Sequence, residues 1–165
     1  MIYLASDHAG LALKDQIKNW LEEREIATTD CGATQFEADD DFPDFISKAA
    51  EAVSRDPSAR GIIFGGSGQG EAIVANKFAH VRAAVFYGEK APLESPEIGG
   101  RESSDPLEIV RLSREHNDAN ILSIGARFVS SEEAKQAVKL WLATSFNNAE
   151  RHVRRIQKIS DIEKR

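Results

Sequence analysis

Short apolar runs alternate along this chain with longer segments whose apolar residues recur at helical spacing, and that alternation restricts the fold more than any other feature. IYLA (2–5), GIIF (61–64), RAAVFY (82–87) and ANILSIG (119–125) read as strands, with ATTDC (27–31) a weaker one. Runs of this length and density suit strands buried on both faces of a sheet. Between them, Leu13, Ile17, Trp20 and Leu21 share one helical face, as do Phe45, Ile46, Ala49 and Val53 after Pro43. Further helices are expected over 71–78, from about 106 to 115, from a cap at Ser131 through 142, and over a basic segment at 150–165. The alternation predicts an α/β fold: a doubly wound, five-stranded parallel sheet, Rossmann-like, with helices on both faces. The expected strand order is 2-1-3-4-5. A chain of 165 residues suits one domain with a real core, spanning 1–165. Residues 88–105 break the short-loop pattern with Gly, Pro and Ser, and are expected to form an excursion at the carboxyl edge of the sheet.

In such sheets ligands bind beyond the carboxyl ends of the strands where the order reverses, here between the first and third strands. That rule brings SDHAG (6–10) beside GGSGQGE (65–71). The net charge of −6 argues against a nucleic-acid binder, which needs positive surface to displace counterions. No apolar run has the length of a membrane span, and MIYLASDHAG lacks the pattern of a signal peptide. The single cysteine, Cys31, has no partner within the chain, so a reducing cytoplasm is the expected setting. No His/Cys cluster has metal-ligand spacing, and the run Asp39, Asp40, Asp41 reads as a solvated acidic loop. Neither a metal nor a cofactor is expected.

The stretch at 61–78 carries five glycines and ends its loop with Glu71. It lacks the lysine of a P-loop and the third glycine of the dinucleotide fingerprint. Glycines still let successive N–H groups point into one concavity, which favours negative charge. That charge is either a ligand phosphate or an oxyanion formed during reaction. In the second case Glu71 serves as general base while Gly66, Gly68, Gln69 and Gly70 line the anion hollow. Ser67 can then move a proton between neighbouring oxygens. The plain alternative is a first-turn glutamate favoured by the helix dipole; a working base there needs desolvation to offset that dipole. Asp7 and His8 are either substrate contacts or a helix cap with an incidental imidazole. His116 and Asn117 precede the fifth strand at its amino end, so a catalytic His116 requires a second subunit. Arg127 sits at the carboxyl edge, suited to an anion. Arg151 and Arg155 share a helical face and form either an anion clamp or a solvated basic surface.

With these residues assembled, the chain resembles the B-type ribose-5-phosphate isomerases, a family that includes galactose-6-phosphate isomerase subunits. The resemblance runs nearly end to end through SDHAG, DCGA, DDDFPDF, GGSGQGEAIVANK, REHNDAN and ERHVRRI. It implies interconversion of ribose 5-phosphate and ribulose 5-phosphate through a cis-enediolate, without metal, in homodimers that share active sites or pair into tetramers. One branch of the family uses a cysteine base at the first position of the glycine loop, where this chain has Gly65. The other places a glutamate after the loop, and Glu71 matches it. The resemblance further assigns Asp7 and His8 to substrate binding, Ser67 to the sugar oxygens, and His116 with Asn117 to ring opening. Arg127, Arg151 and Arg155 match the phosphate clamp. Two departures bear on the sugar: the excursion is longer than in compact members, and Phe42 stands where many members carry tyrosine. Other sugar phosphates and a non-catalytic phosphosugar-binding role therefore stay open. A phospho-acceptor signalling domain fits poorly, since Arg127 rather than a lysine follows the fifth strand and Asp7 lacks an acidic neighbour.

Overall fold

In the computed structural model, which describes residues 1–96 and 101–164, five parallel strands form one sheet. They are β1 (Ile2–Ser6), β2 (Thr28–Asp30), β3 (Arg60–Gly65), β4 (Ala83–Phe86) and β5 (Ile121–Gly125). The helices are α1 (Leu11–Glu22), α2 (Phe42–Arg55), α3 (Gln69–Ala75), α4 (Glu108–Asn117), α5 (Ser131–Ala143) and α6 (Glu150–Glu163). Residues 97–100 of the expected excursion and Arg165 of the final helix lie outside the described residues. No helix among the described residues is long and apolar enough to cross a membrane.

The sheet order is β2-β1-β3-β5-β4, so the last two strands are exchanged relative to the expected order. Burial explains the exchange. Every residue of β5 is buried, and such a strand needs a hydrogen-bonded neighbour on each side. β4 is short and only partly buried, which suits an edge. The reversal between β1 and β3 is untouched, so the crevice expected from the sequence keeps its place.

Two apolar layers flank the sheet. On one face Leu13, Ile17 and Leu21 of α1, Val110 of α4 and Ala134, Val138 and Trp141 of α5 pack on Leu4, Ile62 and Ile124. On the other, Ile46, Ala49, Ala50 and Val53 of α2 and Ala75 of α3 pack on Ala5, Ile63 and Ile121. The buried positions repeat every three or four residues, as one apolar helical stripe must. Each fully buried Ile or Leu contributes about 1.5–3 kcal/mol relative to exposure.

Several element ends differ from the sequence reading for local reasons. The cap of α5 is Ser130, not Ser131, because only Ser130 stands three residues before a reciprocating Glu133 and closes a capping box. α3 stops at Ala75 because the Asn76 side chain pairs like a strand residue with Ala83, accepting its N–H at 2.8 Å and donating to its carbonyl at 3.1 Å. α4 begins at Glu108, after Asp105 accepts the Leu107 N–H at 2.9 Å. The neck of the excursion is closed by the Lys90 N–H on the Pro106 carbonyl at 2.8 Å. Arg101 folds back from its far side onto Glu108 and Glu115.

Candidate active site

The register of the two central strands builds the site. Ser6 of β1 pairs with Phe64 of β3, so Asp7 leaves the sheet beside Gly65, the last residue of β3, at the carboxyl edge. The glycine loop then turns back sharply. Gly68 adopts φ +76°, a left-handed conformation that a side chain would strain, and caps α3. Its carbonyl accepts the Ser123 hydroxyl of β5 at 2.5 Å, which ties the loop to the sheet from below. The backbone N–H groups of Ala126 and Arg127 bond the carbonyls of Gly65 and Gly66 at 2.8 and 3.1 Å. The Arg127 guanidinium lies over Gly66, about 3.6 Å from where its Cβ would be.

Glu71 is in the first turn of α3, yet it is only 5% exposed. Its carboxyl group folds back under the loop: a Cβ built on Gly65 would fall onto the carboxyl oxygen itself. Glycine at position 65 is thus the condition for the carboxylate to sit at the floor of the crevice. Burial raises its pKa above the ordinary value of 4.5, its own backbone N–H pulls the other way, and the negative charge of Asp7 adds to the rise. The contest expected from the sequence goes to burial. A helix terminus is worth about 0.3–1 kcal/mol, whereas burial shifts carboxylates by up to several pK units.

Asp7 is buried and accepts the Ala9 N–H at 3.0 Å. His8 beside it is not incidental. Its backbone N–H and its ring Nδ1 both reach Asp40 Oδ1, at 3.1 and 2.6 Å. Asp40 therefore departs from the solvated loop read from the sequence, while Asp39 and Asp41 on either side are exposed as expected. Among the described residues, Asp7, His8 and Asp40 form the one His/Asp group with ligand-type atoms within 4.8 Å of one another. Within this group His8 Nδ1 is engaged by Asp40 Oδ1. Phe42 stands over Gly70, its ring 3.0 Å from where a Cβ would be. It gives the loop an apolar wall beside Glu71.

The remaining candidates gather elsewhere. His116 and Asn117 end α4, at the amino edge of the sheet. The His116 ring lies 4.2 Å, centroid to centroid, from that of His152 in α6. His152 is 1% exposed, contacts Asn147 through Nδ1 at 2.9 Å and accepts the Arg151 Nε–H at 3.0 Å. Arg155 follows one turn along α6, exposed like Arg151. His116, Asn117, Arg151 and Arg155 thus form one group and Asp7, His8, Ser67, Glu71 and Arg127 another. The length of β5 separates their edges, roughly 16 Å for five residues. Ser67 is half-buried, and its hydroxyl accepts the Gln69 N–H at 3.3 Å.

Sequence reasoning passed over Asp40 and Ser123 as contributors. Ser123 had a signal, a lone hydroxyl inside an apolar strand. Asp40 had none, since three consecutive aspartates look alike until the loop is folded.

A buried carboxylate with a raised pKa beneath a glycine loop, at the reversal point of a doubly wound sheet, makes this crevice the candidate active site. The sequence profile of the ribose/galactose isomerase family matches residues 2–93 and 104–159, and the chain belongs to that family. Residues 94–103 of the excursion fall outside the match. Ribose-5-phosphate isomerase B of Mycolicibacterium paratuberculosis is 38% identical over 163 residues, covering 99% of this chain and 91% of that one. Ribose-5-phosphate isomerase B from Mycoplasma genitalium, solved with bound ribulose-5-phosphate, superposes with a TM-score of 0.85 at 34% identity, covering 99% and 95% of the two chains. The enzyme of the same name from Clostridium thermocellum gives 0.83 at 38% identity, covering 99% and 97%.

Proposed function

We propose that this protein interconverts D-ribose 5-phosphate and D-ribulose 5-phosphate through a cis-enediolate, with Glu71 as the general base. The observation that carries the reading is the Glu71 carboxylate, buried under the glycine loop with its pKa raised. A carboxylate of ordinary acidity is a weak base; desolvation brings it toward the range useful for proton abstraction. Glu71 takes the proton from C2 of the open-chain aldose and, as the protonated acid, delivers a proton to C1, exchanging with water in between. The N–H groups of residues 66–70 hold the charge that builds on the enediolate oxygens. Ser67 carries the hydroxyl proton between O1 and O2. Asp7 and His8 bind the sugar, and Arg127, Arg151 and Arg155 hold the phosphate through guanidinium forks. His116, with Asn117, opens the furanose ring.

The two groups lie at opposite edges of the sheet, so the complete site takes His116, Asn117, Arg151 and Arg155 from a second copy. Exposed Ile73, Tyr87, Ile109 and Phe128 supply apolar surface for such a homodimer. The setting is cytoplasmic, in keeping with the free thiol of Cys31. Mixing two inactive variants tests the arrangement. Glu71→Gln and Arg151→Ala/Arg155→Ala, denatured and refolded together, regain turnover, because each mixed dimer contains one intact site. Refolded mixtures as inactive as their parents would place both groups' roles in one chain and overturn the shared site.

Turnover itself is tested on ribose 5-phosphate in heavy water. The C2 proton exchanges with solvent during isomerisation, and activity persists after chelation. Full retention of a C2 label would point to hydride transfer and remove Glu71 as base. The same assay run across tetrose, pentose and hexose phosphates reads which sugar is preferred.

A further inference from the structure

Asp40 differs from the aspartates on either side of it by where the chain carries it. After β2 the backbone continues alongside β1: the Cys31 N–H bonds the Leu4 carbonyl at 2.7 Å and the Ala33 N–H the Ser6 carbonyl at 2.9 Å. The loop then swings out and returns to start α2 at Phe42, with Asp41 as its N-cap residue. Asp40, held between that turn and the helix, points back over the end of β1 with its side chain only 10% exposed. One oxygen, Oδ1, accepts two bonds from His8, one from the backbone and one from the ring. The other, Oδ2, is buried without a hydrogen-bond partner among the described residues. The Phe36 ring meets the His8 ring edge-on, at 5.7 Å and 78°. Asp7 Oδ2 lies 3.9 Å from the same Nδ1.

We propose that Asp40 is a positioning residue of the active site: it fixes the tautomer and orientation of His8, so that Nε2 is the ring nitrogen presented to the sugar phosphate. The chemistry follows from the donor inventory. A carboxylate only accepts, so the nitrogen 2.6 Å from Asp40 carries the hydrogen. Nε2 is left as the variable position, an acceptor toward a sugar hydroxyl or, on protonation, a donor toward phosphate. An imidazole without such a partner divides between two tautomers and turns about its side-chain bonds. Held at the backbone and the ring by one oxygen, His8 does neither.

The inference rests on the isomerase reading for the substrate end of His8, and two measurements keep the two claims apart. The first needs no turnover. Nitrogen NMR of the imidazole shows the Nδ1–H tautomer in the wild type and a mixture in Asp40→Ala. The second is kinetic: Asp40→Ala lowers kcat/KM for ribose 5-phosphate by about tenfold or more, as loss of an orienting partner does at other sites. Asp40→Asn, which keeps an oxygen acceptor in place, recovers most of that loss. In a His8→Ala background Asp40→Ala costs little further, because a residue that acts through His8 has nothing left to act on. An Nε2–H tautomer in the wild type overturns the proposal. So does an Asp40→Ala enzyme with unchanged kinetics, or one whose loss is as large without His8. A wild type that shows the Nδ1–H tautomer but does not isomerise ribose 5-phosphate sinks the isomerase reading and leaves the pair standing.

Discussion

Glu71→Gln lowers kcat for ribose 5-phosphate by about 10²–10⁴-fold, the span attributed to a positioned general base, and leaves KM nearly unchanged. Glutamine keeps the size and hydrogen-bonding shape of the side chain but cannot take a proton from carbon. The loss therefore falls on the chemical step. The same substitution stabilises the protein at neutral pH. Burial raises the folded-state pKa of Glu71 above its ordinary value, so between those two values the folded chain binds more protons than the unfolded one. Stability then falls as pH rises through that interval, and above it the buried charge costs stability in full. Removing the charge returns that stability, so the melting temperature of Glu71→Gln exceeds that of the wild type above the interval and converges with it at lower pH. An inactive variant that is more stable than its parent has not lost activity by misfolding. The wild-type acid limb of kcat/KM sits above the ordinary glutamate value for the same reason, since the base works only when ionised. A Glu71→Gln enzyme whose KM rises as much as its kcat falls would move Glu71 into substrate binding.

The strands and helices were legible wherever apolar spacing was regular. Leu13, Ile17 and Leu21 declared α1, and Ile62, Ile63 and Phe64 declared β3, because burial on one stripe or two faces leaves a periodic record. The order of β4 and β5 was not legible. Their apolar runs look alike, and the difference between them lies in which finds a neighbour on both sides. The position of the crevice was predictable because it depends only on the reversal between β1 and β3. Glu71 could be singled out from the glycine loop, but its burial could not, since the return of its carboxyl group beneath Gly65 is a matter of folded geometry. Asp40 shows the same limit more sharply: its role comes from a loop of about ten residues closing on His8, and no spacing rule connects positions so far apart in the chain.

The overlap between Gly65 and the Glu71 carboxyl group carries the second large effect. Gly65→Ala places a methyl group where the carboxylate rests. The strand tolerates alanine, and the group it strikes is the free end of a flexible side chain, so the fold survives and the carboxylate is what moves. A displacement of about 1 Å can cost 10²-fold in rate, and kcat falls by about that factor while the melting temperature changes little. The geometry also says how to restore the reaction. A side chain at position 65 projects to the point that Glu71 occupies, so a thiol there stands where the carboxylate stood. Gly65→Cys/Glu71→Ala isomerises ribose 5-phosphate at least about tenfold faster than Glu71→Ala alone. Its activity climbs toward pH ~8.5 as the thiolate forms, in contrast to the carboxylate-limited profile of the wild type. This outcome would mean that what the reaction requires is a proton acceptor at one point in space, whichever end of the loop supplies it. Full activity in Gly65→Ala, with the double variant no better than Glu71→Ala, would mean that proton abstraction occurs somewhere other than the hollow under Gly65.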